Sequence, residues 1–77
     1  MRSNNDFPSQ AMVEAQWAMY PAGCRVELVL MDDPYTKLKP GDQGTVMGVD
    51  STGTVLVNWD CGSSLGIVYG VDQIRKL

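Results

Sequence analysis

The groups that could do chemistry in this chain are carboxylates and thiols. Its 77 residues carry nine Asp and Glu, two Cys and no His. Without an imidazole the commonest general base, the commonest zinc ligand and the usual switch near neutral pH are all missing. Asp32 and Asp33 stand side by side ahead of Pro34, with Asp60 as a third carboxylate of interest. Adjacent carboxylates on an extended chain point apart, and a hard cation needs several further oxygens at set spacing. Asp ahead of Pro instead starts a turn by bonding its own backbone, and Asp42, Asp50 and Asp60 sit where the same bonding is called for. Ser63 and Ser64 follow Gly62, yet no base accompanies them and no strand-to-helix elbow follows. The glycines lack the Lys-Ser/Thr ending of a phosphate loop. Cys24 and Cys61 are in neither a metal-ligand nor a redox spacing, and no cation near Cys61 in sequence would lower its pKa. The residues therefore predict a protein that is not an enzyme, with no metal site, no cofactor and both thiols free.

The bulk properties narrow the partners. A chain of this length is one domain, near the lower limit for a single core without staples. At 44% hydrophobic residues it is rich enough to fold. A net charge of −3 and a pI near 4.5 work against nucleic acid, which calls for a basic stripe. The six cations are scattered, and only Arg75 and Lys76 adjoin. No secretory h-region or membrane-spanning run is present, so the expected setting is cytoplasmic, with no membrane partner.

The elements that must position any site are read from periodicity. Residues 1–8 read as a flexible N-terminus. Ser9 can cap a helix that continues to Tyr20, giving a helical unit over 9–20. Val13, Trp17 and Tyr20 share one face at i, i+4 and i+7, and Met12 and Met19 broaden it. A helix of about three turns is marginal alone and must dock. It can do so on its own sheet or, through a Met- and Trp-bearing face, on another chain. Pro21, Ala22 and Gly23 stop it.

Cys24–Met31 alternates as a strand, and a long polar connection runs from Asp32 to Lys39. Lys39–Asp60 is the organising stretch: a turn at Pro40 and Gly41, a strand over Thr45–Val49, a tight hairpin over Asp50–Gly53, and a strand over Thr54–Trp59. Trp59 alternates with Val55 and Val57 and reads as core, the alternative reading being a ligand platform. Ser64–Tyr69 is the next expected strand, Gly70–Gln73 a helical turn, and Ile74–Leu77 a closing strand. The predicted fold is mainly β: a small SH3-like five-stranded barrel over 21–77, preceded by one N-terminal α-helix. A barrel is the economical way to hide the sheet edges.

Several runs, in order, resemble a known family. They are Pro21–Leu28, Met31–Pro34, Gly41–Val46, Gly48–Asp50 and Trp59–Leu65. Together they are similar to the domain of unknown function 4314 family over about residues 21–77, and the helix led by Phe7, Pro8 and Ser9 also looks typical. The resemblance implies small proteins of bacteria, mainly Firmicutes, and of their phages and mobile elements. It brings no activity. Cys61 departs from the pattern, because the family's turn more usually carries Asn.

Two candidate surfaces emerge. Small barrels of this class dock peptides on aromatics beside the long first loop, which here offers Asp32, Asp33 and Tyr35, with Trp59 and Tyr69 as neighbours. An acidic, aromatic groove of that kind prefers a basic or amphipathic protein segment. The helix offers the second surface through Met12, Val13, Trp17 and Tyr20. The expected function is a non-enzymatic protein-binding module, acting on a host or defence process from a phage or mobile element. The rival readings are a small-molecule or nucleotide-binding homo-oligomer and, after it, a nucleic-acid-associated barrel.

Overall fold

The computed structural model describes residues 9–32 and 35–77. The expected flexible segment 1–8 and the Asp33-Pro34 step lie outside the described residues. Ser9 caps helix α1 (Gln10–Met19): its extended backbone leads in, and its Oγ accepts from the Met12 N–H at 3.1 Å. Four strands come next in one antiparallel sheet: β1 (Arg25–Leu30), β2 (Gln43–Val49), β3 (Val55–Trp59) and β4 (Gln73–Lys76). Their spatial order is β3-β2-β1-β4. The helix packs across β2, with Val13 buried in the core and Tyr20 against it.

The core faces are those that alternation predicts. Val26 and Leu28 of β1, Val46 and Val49 of β2, and Val55, Val57 and Trp59 of β3 are all buried. Leu38 pins the long first loop to the same core, while Leu28 exchanges backbone hydrogen bonds with Gly41 and Asp42 at 2.9 and 2.7 Å. Two irregularities break the alternation. A register shift between Val46 and Gly48 turns Val49 inward, where alternation from Val46 would turn it outward, and another between Leu28 and Leu30 turns Leu30 outward where the pattern places it inward.

The sheet is not closed, and five strands are not formed. Ser64–Tyr69 yields a single bridge, Ile67 to Val55. Competition for backbone groups is the reason. Leu65 O accepts from Trp59 Nε1 at 2.9 Å, and Leu65 N–H donates to Ser63 Oγ. Val68 N–H donates to Asp72 Oδ2, and Val68 O accepts from the N–H groups of Val71 and Asp72 in a one-turn reversal. Groups committed to these bonds cannot extend a ladder.

Five glycines, Gly62 among them, have positive φ, and Gly44 is required for a different reason, close approach. Gly62 has φ near 101° in the turn after β3, so Cys61 needs no left-handed conformation and the departure from Asn there is harmless. Gly44 lies where β2 crosses β3, and a Cβ would come within 2.7 Å of Val57 Cγ1 and 2.9 Å of Asn58 O. The backbone oxygen cannot swing aside. Gly44→Ala is therefore expected to lower the unfolding free energy by about 1–3 kcal/mol, measured by urea denaturation. An unchanged midpoint would mean that the two strands can part at this crossing.

Candidate functional site

Because the sheet stays open, a groove remains between its two free sides. On one side lie Val55 and Ile67; on the other lie Gln73 and Ile74; α1 contributes Met12, Ala15, Gln16 and Met19, with Tyr20 at its end. The turn at Tyr69, Gly70 and Asp72 forms one end, and the groove measures about 580 Å³. Its lining is mainly apolar. Tyr69 is 57% exposed and Met19 56%, large exposures for apolar groups beside a core. The Tyr20 phenol is pushed up by burial, with the neighbouring Cys24 thiol adding to the shift, and so stays neutral.

Asp72 holds the rim in shape. Its Oδ1 accepts from the Asp32 N–H at 2.9 Å and its Oδ2 from the Val68 N–H at 3.0 Å. One carboxylate thus ties the long first loop to the turn that carries Tyr69. With both oxygens engaged, Asp72 is part of the wall's construction.

The structure redistributes the residues picked out from sequence. Tyr69, Met12 and Tyr20 come together in the groove, joining two surfaces that sequence reasoning keeps separate. Val13 is in the core. Trp17 is 47% exposed and turned away over the β2 irregularity, where a Cβ on Gly48 would lie 3.5 Å from its ring. Trp59 is withdrawn from any surface: it is 2% exposed and its ring N–H is taken by Leu65 O. Asp32 is exposed and reaches the groove only through its backbone bond to Asp72. Tyr35 is 92% exposed on the loop, and Asp33 lies outside the described residues. Of the five residues expected at the loop surface, only Tyr69 among those described lines this groove.

Sequence reasoning misses Ala15, Gln16, Asp72, Gln73 and Ile74. Asp72 carries a usable signal, since a carboxylate closing a Gly-Val turn is placed to collect free backbone N–H groups.

The remaining chemistry is muted. Among the described residues no three His, Cys, Asp or Glu are grouped to hold a metal ion. Cys24 and Cys61 are free thiols. A second hollow of about 460 Å³ sets Cys61 beside Lys37 and Lys39, cations that sequence order does not place near it. On the outer face Arg25 pairs with Asp60, Gln43 and Thr45, and Arg75 pairs with Glu27 at 2.7 Å. The hydrogen bond from Arg25, helped by its charge, holds the Asp60 carboxyl below the usual range. Beside these paired charges, Val29, Met47 and Leu56 of the strands are exposed. No helix among the described residues is long and apolar enough to cross a membrane.

If Asp72 sets the rim, Asp72→Ala should speed amide exchange at Asp32 and Val68 and cost about 1 kcal/mol of stability. Ile67, bonded to Val55 in both directions, should stay protected. Unchanged exchange at Asp32 and Val68 would show that the rim stands without the carboxylate.

No curated protein and no solved structure matches the chain significantly. The family profile described as "Domain of unknown function (DUF4314)" matches residues 9–77, which includes α1 and every strand of the sheet. The chain therefore belongs to the DUF4314 family, with the helix and the open sheet inside the matched unit.

Proposed function

We propose that this chain is a non-enzymatic protein-binding module that works through the groove between α1 and the turn at Tyr69. The carrying observation is the exposure of large flexible and aromatic side chains, Met19 and Tyr69, in a groove whose two sides carry Ile67 and Ile74. Met adapts to irregular partners, and Tyr combines apolar area with a polar tip, which is why both are favoured at contact surfaces. In this reading the fold is an SH3-like barrel whose fifth strand is cut to one bridge, so the seam of the barrel is the binding site. The partner is a protein segment. The family resemblance supports an origin in a bacterial phage or mobile element and action in the cytoplasm. There, occupying one surface of a host or defence protein is enough to modulate or inhibit it.

One observation favours a second reading. A groove of about 580 Å³ falls in the size range of small-molecule sites, so a small-molecule or nucleotide-binding homo-oligomer is the rival. Association with nucleic acid stands behind it, because Arg25 and Arg75 are already paired with carboxylates.

Photoreactive p-benzoylphenylalanine placed at Tyr69, and separately at Asn58 on the outer face, tests the proposal in host cells. The expected result is an adduct with one defined protein from position 69 and none from position 58. Equal labelling from both, or no adduct from either, would count against the groove. A rise in melting temperature with increasing nucleotide concentration would favour the rival.

A further inference from the structure

The groove has one wall that can do more than offer apolar contact. β4 is an edge of the sheet. Its register pairs Val26 with Lys76, Glu27 with Arg75 and Leu28 with Ile74. Leu77 N–H donates to Arg25 O at 3.0 Å, while both backbone groups of Leu28 are taken by Gly41 and Asp42 on the opposite side. Antiparallel bonding alternates, so Arg75 and Leu77 face β1, and the N–H and C=O of Ile74 and Lys76 face away from the sheet. Ile74 also lines the groove, and its side chain packs against the core. Free backbone groups and an apolar floor therefore lie side by side at the open seam.

Resting on the reading of the groove as a protein-binding site, we propose that its occupant is an extended segment of a partner protein. The segment adds as a strand to β4, with an apolar residue opposite Ile74 and an acidic residue two positions away opposite Lys76. Residues directly opposite on paired strands share a face. The position opposite Ile74 thus looks into the groove, and the one opposite Lys76 meets an exposed ammonium. Charge also decides against a second copy of this chain. Of the four residues of β4, Gln73, Ile74, Arg75 and Lys76, Arg75 is already paired with Glu27 and Lys76 has no acid on its strand, so a copy would bring a second Lys76 to the same edge. Lysine on an edge strand is a familiar guard against self-pairing. Strand addition gives affinity through the main chain and selectivity through alternate side chains.

Selection of a displayed library of random short peptides against the full chain, with sedimentation of the free protein, tests this. The expected outcome is a monomer, with enriched peptides that carry an apolar residue two positions from Asp or Glu. Ile74→Pro removes an outward N–H together with a side chain that packs on the core, so it is read against Ile74→Ala, which keeps the N–H; the proline variant should bind these peptides roughly tenfold more weakly than the alanine variant. Lys76→Glu, on an exposed side chain, should turn the selected acid into Lys or Arg and guards against misfolding of the proline variant. Peptides weakened by Tyr69→Ala but bound alike by the proline and alanine variants, and indifferent to Lys76→Glu, would overturn strand addition while leaving the groove reading standing. A dimer lost in Ile74→Pro would give the edge to a second copy. Tighter peptide binding after removal of residues 1–8 would give it to the chain's own N-terminal segment. A monomer that enriches no peptide would overturn both the strand and the groove.

Discussion

The interaction on which the rest of the structure depends is the burial of Trp59. Its side chain is among the largest that are fully buried, and its ring N–H reaches Leu65 O at 2.9 Å. A buried indole needs an acceptor. Here the acceptor comes from the chain returning after the β3 turn, so the ring both fills the core and fastens the next segment across it. The Ser63 O bond to Trp59 N–H adds a second tie at the same point. Ile67 can then bridge to Val55 and close the core on that side.

The same fastening limits the sheet. A carbonyl given to an indole is not given to a neighbouring strand, and the turn around Asp72 takes both backbone groups of Val68. The segment thus contributes apolar side chains, Leu65 and Ile67, without contributing a full strand. The result is an open seam with α1 alongside. Polar and ionic pairing is concentrated on the outer face, through Arg25 with Asp60 and Arg75 with Glu27. These exposed pairs add little to stability.

Much of this is legible in the sequence because it rests on local periodicity. Ser9 as helix cap, the alternation through Val55, Val57 and Trp59 and the hairpin at Asp50–Gly53 all derive from residue type and spacing, whereas the helical turn expected over Gly70–Gln73 is a plain turn, with Gly70 at a φ of 82° and Gln73 already in β4. Sequence reasoning fails where a long-range bond decides the outcome. The indole of Trp59 and the carboxylate of Asp72 take groups that alternation alone would assign to a fifth strand. Trp17 shares a helical face with Val13, but the bulge at Met47 and Gly48 gives it a shelf away from the groove. Tyr69 stands out in sequence as a neighbour of the long loop, yet Met12, Met19 and Tyr20, which line the groove with it, lie far from it along the chain. Helix and turn are brought together only by the way the sheet curls. The family assignment agrees with the local motifs and adds the helix to the unit, since the match begins at Ser9.

The central claim is that the seam beside β4 is open in the free protein and available to a partner. Amide hydrogen exchange, resolved residue by residue across β4, tests it most directly. The account predicts that Arg75 and Leu77, bonded to β1, are protected, while Ile74 and Lys76 exchange at rates near those of an unfolded chain. Protection at Ile74 and Lys76 equal to that of their neighbours would mean that the edge is already covered, and the seam would then not be a free binding site.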